Sequence, residues 1–442
     1  MEQRRIAKNS ALNLTGAVAT GVFGLLQTAL LAKWLALDDF GRVLIVENFY
    51  RVGIVVVGVK LSDLVLRTLP RVDADGPPGI GRAVVTVTLA VDAAVGLLLA
   101  AVPFALAPWI AERLYGDASL ATALRIYAVA PLFFLFREDL AVPVLRTRDR
   151  FAAVIVPDVV ASVATVAALA WILAGGGGSD SGNPVAVVVG VLAAGMLVRA
   201  LLPLGLAAGE IRALLASATA ADARAALAAE GRSLFATAWQ SNLVGYLRLG
   251  ADHGALFCLG LFAAPAEVAL YGIALRIAQV VEITQASVQT AVTPEVLRTF
   301  NGSRLSDVLG TVARFTMAAT IVALLGAASM LGFMEPLILL MSKPEYVAAV
   351  PILALLLPSA WLRFAATCSY PLALASNNLG RRNAVVALRL VLLAGAVAYG
   401  LTAVVLAAVQ LAGTVLVRVA FDLPLVVRLR RMAKDETTAD AT

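Results

Sequence analysis

An all-α polytopic membrane protein is the fold class this sequence predicts, and three observations predict it. Hydrophobic residues make up 61% of the chain and charged residues only 14%, with a mean hydropathy of +0.89, a balance outside the range of water-soluble domains. Apolar stretches of spanning length recur from end to end, each on the order of 20 residues as a hydrocarbon core about 30 Å thick demands. Basic residues gather in every second connection, which sorts the two sides of the membrane.

Twelve spans follow from the apolar pattern, at 10–36, 41–66, 83–110, 121–145, 151–174, 185–208, 233–262, 266–291, 310–333, 347–375, 384–405 and 408–427. One set of connections carries twenty Lys and Arg residues, among them Arg4, Arg67, Arg82, Arg146, Arg224, Arg298, Arg382 and Arg428, whereas the other set carries only Lys33, Arg42, Arg113 and Lys343. Lys and Arg are retained on the cytoplasmic side, so both termini are expected there. The net charge of +6 is therefore a topology signal, and nucleic acid is not an expected partner. The apolar run after residue 10 has spanning length and no small-residue cleavage site, so the first helix is expected to stay attached.

The longest connection, "GEIRALLASATAADARAALAAEGR" at 209–232, is Ala-rich and divides six helices from six. The expected organisation is an amino-terminal lobe at 1–208, a cytoplasmic linker at 209–232, a carboxy-terminal lobe at 233–431 and a polar cytoplasmic tail at 432–442. The glycines of "AGGGGSDSGN" at 174–183 follow a helix rather than a strand and read as an outer turn, not a phosphate loop. Cys258 and Cys368 stand alone in apolar helices, and His253 is the one histidine, so neither a metal site nor a cofactor is expected. The outer loops are short and carry no nucleophile with its base, which argues against an enzyme; with no nucleotide loop, ATP is not the expected energy source.

What remains for function is the set of ionisable residues within the spans, each expensive in hydrocarbon and therefore turned toward protein or a watery cavity. The stretch "ALYGIALRIAQVVEITQASVQTAV" at 269–292 places Arg276, Gln279, Glu282 and Gln289 in one sector of a helix. A stripe of that length is more than one ion pair requires. Ser359, Arg363, Thr367 and Tyr370 repeat the pattern at steps of three and four. Arg51, Arg248, Arg276 and Arg363, with Gln279, are candidate contacts for phosphate or carboxylate groups, because guanidinium supplies charge and a planar fork of donors. Asp252 and His253, with Arg248 one turn away, and Glu282 are candidates for ion coupling. The bland alternative for each, and for Glu47, Asp92, Arg137, Glu138, Asp139, Asp158, Arg389 and Arg418, the other ionisable residues within the spans, is a buried ion pair that locks helices together.

Several stretches carry a family resemblance. "KNSALNLTGAVATGVFGLLQTALLAKWLALDDFG" resembles the first helix and turn of the polysaccharide-type flippases, the Wzx-like branch of the multidrug/oligosaccharidyl-lipid/polysaccharide exporter (MOP) superfamily. "AAPAEVALYGIALRIAQVVE", "SKPEYVAAVPILALLLPSAWLRF" and "LASNNLGRRNAVVAL" are similar to its eighth helix, its entry to helix 10 and its link between helices 10 and 11. The resemblance implies a MATE-like fold of two six-helix lobes around a central cavity, in the bacterial inner membrane. It implies alternating-access movement of oligosaccharides linked to undecaprenyl diphosphate toward the outer leaflet, for surface polysaccharide synthesis. Polysaccharide polymerase and chain-length machinery are the implied partners. Three other readings are weighed: an ion-coupled multidrug or organic-cation antiporter of the same superfamily, the peptidoglycan precursor flippase, which usually has two further helices at the carboxyl end, and a non-transporting scaffold of a polysaccharide assembly complex.

Overall fold

The structure, a computed structural model, describes residues 2–73, 79–175, 183–252, 254–302, 305–376 and 378–439, and those residues are helical almost throughout, with no strand among them. The chain divides into two compact units, Met1–Leu261 and Phe262–Thr442. The first unit holds α1 (Glu2–Trp34), α2 (Leu37–Val57), α3 (Ser62–Asp73), α4 (Ile80–Trp109), α5 (Leu120–Tyr127), α6 (Ala130–Phe136), α7 (Val142–Thr147), α8 (Phe151–Ala174), α9 (Pro184–Ala216), α10 (Ala220–Asp252) and α11 (Gly254–Phe262). The second holds α12 (Pro265–Gly302), α13 (Leu305–Leu331), α14 (Met334–Met341), α15 (Val350–Ala365), α16 (Ser369–Ala375), α17 (Leu379–Tyr399), α18 (Ala403–Val417) and α19 (Leu423–Ala439).

Among the described residues, nine helical stretches are long and apolar enough to cross a membrane. The other three spans expected from the sequence fall on α2, on α10 with α11, and on α12, the helices whose charged and amide side chains dilute the apolar pattern. Large apolar side chains stand exposed on the spans, Leu97, Phe104, Trp171, Leu324 and Leu325 among them. Lipid is the solvent for these faces, so exposure there costs nothing. The protein is a multi-pass membrane protein.

Helix ends follow local chemistry. The Asn183 side chain accepts from the Ala186 N–H at 3.0 Å and Pro184 takes the first turn, which starts α9. Thr219 and Asp222 cap one another, with Asp222 Oδ2 accepting from the Thr219 N–H at 2.9 Å and Thr219 Oγ1 from the Asp222 N–H at 3.2 Å. That exchange begins α10, so the 209–232 connection is two helix ends around a short turn.

Several expected spans are interrupted, among them 121–145 between α5 and α6 and 384–405 between α17 and α18, and two further breaks show their hydrogen bonds. The helix expected over 41–66 stops at Val57; the chain turns extended at Gly58, and α3 starts anew. Asp139 drives the restart, because its Oδ1 accepts from the N–H groups of Leu61 and Ser62 at 3.1 and 2.9 Å, satisfying donors the new helix would otherwise bury unpaired. The helix expected over 347–375 likewise breaks after Ala365, where tight turns deliver the N–H groups of Ala366 and Thr367 to Arg363 and Phe364. Single-turn π-helical insertions at Arg137–Ala141 and Arg418–Asp422 shift the side-chain register inside longer helices, and such insertions gather at functional positions.

Small residues let the helices cross closely. A Cβ at Gly195 would stand 2.0 Å from Thr165 Oγ1, and one at Gly326 would stand 2.3 Å from the Trp361 ring. Cys368 packs with Val292, Val308, Leu372, Phe421 and Leu425 in the core of the second unit, the small hydrophobe its surroundings imply.

Candidate functional site

The second unit contains a cavity of about 90 Å³ lined by four arginines, Arg363, Arg382, Arg389 and Arg418, with Gln285, Gln289, Ser369, Tyr370, Thr414 and Asp422. Five helices, α12, α15, α16, α17 and α18, and a π turn build it. α15 brings Arg363 near its end, α17 brings Arg382 and Arg389 on one face two turns apart, and the π turn at Arg418–Asp422 carries the fourth guanidinium and the lining carboxylate.

Each arginine is held. Arg363 pairs with Glu282 of α12. Arg389 Nη2 donates to Thr414 Oγ1 at 2.7 Å, and that hydroxyl lies 2.8 Å from Ser359 Oγ, so three helices converge on one hydrogen-bonded node. Gly413 makes this possible, since a Cβ there would meet Arg389 Cγ at 2.8 Å. Arg418 pairs with Asp422 and donates to the Leu362 carbonyl at 2.9 Å, while Asp422 also accepts from Ser369. The Arg382 guanidinium lies 5.4 Å from the centroid of the Tyr370 ring.

These contacts leave donors over. The Nε–H groups of Arg363 and Arg418 are buried and meet no acceptor among the described residues. Four guanidinium groups face one lining carboxylate, and a second, Glu282, is taken up by Arg363. A buried donor without a partner costs about 1–3 kcal/mol, which an anionic group with several acceptor oxygens would recover. Guanidinium groups in this number supply the charge and planar donors that phosphate or carboxylate oxygens accept from.

The structure brings four residues of the sequence stripes to this cavity: Arg363 and Tyr370 of one stripe, and Gln289 and Glu282, the partner of Arg363, of the α12 stripe. Arg276 and Gln279 lie further along α12 and bond to each other at 3.3 Å. Arg51 belongs to the first unit and pairs with Glu47 one turn before it. The side chains of Arg248 and Asp252, and His253 altogether, lie outside the described residues. Arg382 and Asp422 are contributors that sequence reasoning missed. The spacing of Arg382, Val386 and Arg389 at steps of four and three was the available signal, hidden because Arg381 and Arg382 also fit the pattern of a basic connection.

The buried charges of the first unit are of another kind. Arg137, 6% exposed, pairs with Glu138 and reaches both Asp158 oxygens at 2.6 and 2.7 Å. Arg199 donates to Ser162 Oγ at 2.7 Å beside the same Asp158. This network joins the π turn to α8 and α9, as a structural lock does. Asp92 differs: it is 1% exposed, and neither its Oδ2 nor Thr88 Oγ1 one turn away has a partner among the described residues.

No protein-family model and no curated protein matches the sequence. Solved structures do match in fold. An inward-facing multidrug resistance MATE family transporter of the MOP superfamily superposes with a TM-score of 0.64 at 12% identity, over 96% of each chain. The lipid II flippase MurJ, in an inward closed conformation, gives 0.64 at 13% identity over 97% of this chain and 93% of its own. A MOP superfamily transporter from Pyrococcus furiosus, described as having a binding pocket of reverse polarity that suggests a different function, gives 0.60 at 13% identity over 96% of each chain. The chain therefore has the fold shared by MATE transporters and the MurJ flippase.

Proposed function

We propose that the protein moves a lipid-linked oligosaccharide, carried on a polyprenyl diphosphate such as undecaprenyl diphosphate, from the cytoplasmic to the outer leaflet of a bacterial inner membrane. The observation that carries this reading is the four-arginine cavity with its unspent Nε–H donors. A diphosphate offers acceptor oxygens to such a cavity, while the polyprenyl tail remains in lipid and no polar group has to cross bare hydrocarbon. Arg51, Arg248, Arg276 and Gln279 are the further headgroup contacts of this reading, and Asp252, His253 and Glu282 its ion-coupling candidates. Two lobes, 1–208 and 233–431, give the alternating access of this reading. Both termini are cytoplasmic, and the surface polysaccharide polymerase takes the product.

The test is reconstitution. Proteoliposomes carrying the lipid-linked sugar of the native strain are assayed for its appearance in the opposite leaflet. Arg363→Ala, Arg389→Ala and Arg418→Ala are each expected to lose at least about tenfold in rate, as the removal of one charge-assisted bond implies. Normal flipping by all three folded variants would end the proposal. One observation favours the rival reading of an ion-coupled cation antiporter, the buried Asp92, whose Oδ2 meets no partner among the described residues. In that case efflux of an organic cation would depend on Asp92, and sugar flipping would be absent.

A further inference from the structure

The first unit contains a second cavity of a different character, about 400 Å³ in volume and lined almost wholly by apolar side chains of α3, α4 and α10. On α10 the lining residues Leu227, Gly231, Leu234, Ala238, Asn242 and Tyr246 recur at steps of three and four, a single stripe along the helix. Between Leu227 and Tyr246 that stripe runs about 28 Å along the axis at roughly 1.5 Å per residue. Val84, Val87 and Val91 form the facing stripe on α4.

The shape decides what fits. A helix about 10 Å across and of that length occupies roughly 2,000 Å³, about twice the open space of about 1010 Å³ between these side chains. A single extended hydrocarbon chain is the body that is long, thin and apolar enough. Asn242, a polar residue deep in the groove, is engaged within the protein at both ends of its amide, since its Oδ1 accepts from the Lys60 N–H at 2.9 Å and its Nδ2 donates to the Ala238 carbonyl at 2.7 Å. Phe235 and Trp239 line the groove while remaining 71% and 59% exposed, an open aromatic flank toward lipid.

Charge marks one end. Arg224 extends the α10 stripe one turn before Leu227, and Arg67 follows Leu64 by one turn on α3; both are exposed. Arg82, two residues before Val84, is anchored to the Ala218 carbonyl at 2.6 Å, and Gly79 at φ +84° abuts the backbone of Asp222, so the start of α4 and the start of α10 are fastened together there. Of the described carboxylates on these elements, Asp222 is engaged by Thr219, Glu230 has a partner of its own, and Asp92 is buried about 15 Å further along α4 than Arg82 at roughly 1.5 Å per residue, leaving Asp63 at the start of α3. This is the end that the basic-residue pattern assigns to the cytoplasm.

We infer that the groove holds one acyl chain of a resident anionic phospholipid of the inner leaflet, with its phosphate at Arg67 and Arg224. The inference is independent of what the protein transports. A long polyprenyl cargo tail overruns a groove of this length, whereas a phospholipid chain matches it.

The experiment is native mass spectrometry of the full-length protein released from nanodiscs of phosphatidylglycerol or of phosphatidylcholine. One phosphatidylglycerol is expected to survive activation that strips the surrounding lipid, retained about tenfold better than phosphatidylcholine, since basic residues at the membrane surface favour anionic lipid. Val87→Trp, which plants an indole in the groove, should abolish that retention, and the double variant Arg67→Gln/Arg224→Gln should lower it to the phosphatidylcholine level. A readout that does not depend on the filled variant folding is the melting temperature of the parent, which should rise with the phosphatidylglycerol fraction, while that of the double arginine variant should not. Equal retention of the two lipids by the parent overturns the inference, as does undiminished retention by a folded Val87→Trp protein. Retention only of a doped polyprenyl phosphate also overturns it, by assigning the groove to cargo.

Discussion

Gly413→Ala changes no charged group, yet it should disable the arginine cavity. An added Cβ would stand 2.8 Å from Arg389 Cγ and 2.9 Å from its Nε. Ordinary carbon contact lies near 3.5–4.0 Å, so the Arg389 side chain must retreat by roughly 1 Å. Its 2.7 Å bond to Thr414 Oγ1 then lengthens past hydrogen-bonding range. A hydrogen bond involving a charged group contributes about 1.5–3 kcal/mol, and a guanidinium that loses its anchor loses that share of its preorganisation, which corresponds to about 10- to 100-fold weaker binding of a diphosphate. The helix itself gains up to about 1 kcal/mol from replacing Gly with Ala. Weaker binding should therefore occur without a comparable loss of stability. The assay is titration of farnesyl diphosphate into detergent-solubilised protein, for the parent, Gly413→Ala, Arg389→Ala and the double variant. Because the glycine acts through the arginine, the double variant should bind no worse than Arg389→Ala alone. Parent-like affinity in Gly413→Ala, or fully additive losses, would refute the reasoning.

Arg137→Ala leaves the partly exposed Asp158 with Arg199 at 3.7 Å and should destabilise the protein by about 1.5–3 kcal/mol, seen as a lowered melting temperature; Arg137→Ala/Asp158→Ala should recover part of the loss. Gly195→Ala places a Cβ 2.0 Å from Thr165 Oγ1 and should cost about 1–3 kcal/mol through overpacking, an effect that adding Thr165→Ala relieves in the same thermal assay. Asp117, in the turn before α5, is partly desolvated, but bonds from Ser119 and Arg42 outweigh that and lower its pKa. Its stabilising contribution is thus present above the ordinary carboxylate value near ~3.9 and lost as pH falls through the lower folded value. Melting temperatures measured from pH 6 downward should show this acid loss in the parent and a smaller one in Asp117→Asn. For topology, Cys258 and Cys368 are replaced and single cysteines introduced; one at Gly177 should react with an impermeant maleimide from outside and one at Ala221 should not.

The membrane class was legible in the sequence because composition and spanning length depend on no tertiary contact. The long helix through Arg276, Glu282 and Gln289 was legible for the same reason, its polar stripe being a local pattern that α12 retains over Pro265–Gly302. The breaks at Gly58 and Ala366 were not, since the first depends on a cap from Asp139, 77 residues beyond Ser62. The cavity was half legible. Arg363 stood out as a cation within a span, but its pairing with Glu282 bridges 81 residues, and nothing local announces it. Arg418 and Asp422 are four residues apart, yet the π turn between them re-aims both side chains in a way that 3.6-residue periodicity does not encode.

Parallel transport in one set of proteoliposomes, loaded with both a lipid-linked oligosaccharide diphosphate and a fluorescent organic cation, tests the central claim most directly. The account predicts that the sugar lipid changes leaflet in a manner abolished by Arg389→Ala with Arg418→Ala, while the cation stays where it was loaded. Cation movement that survives those substitutions, in vesicles whose sugar lipid does not flip, would contradict it.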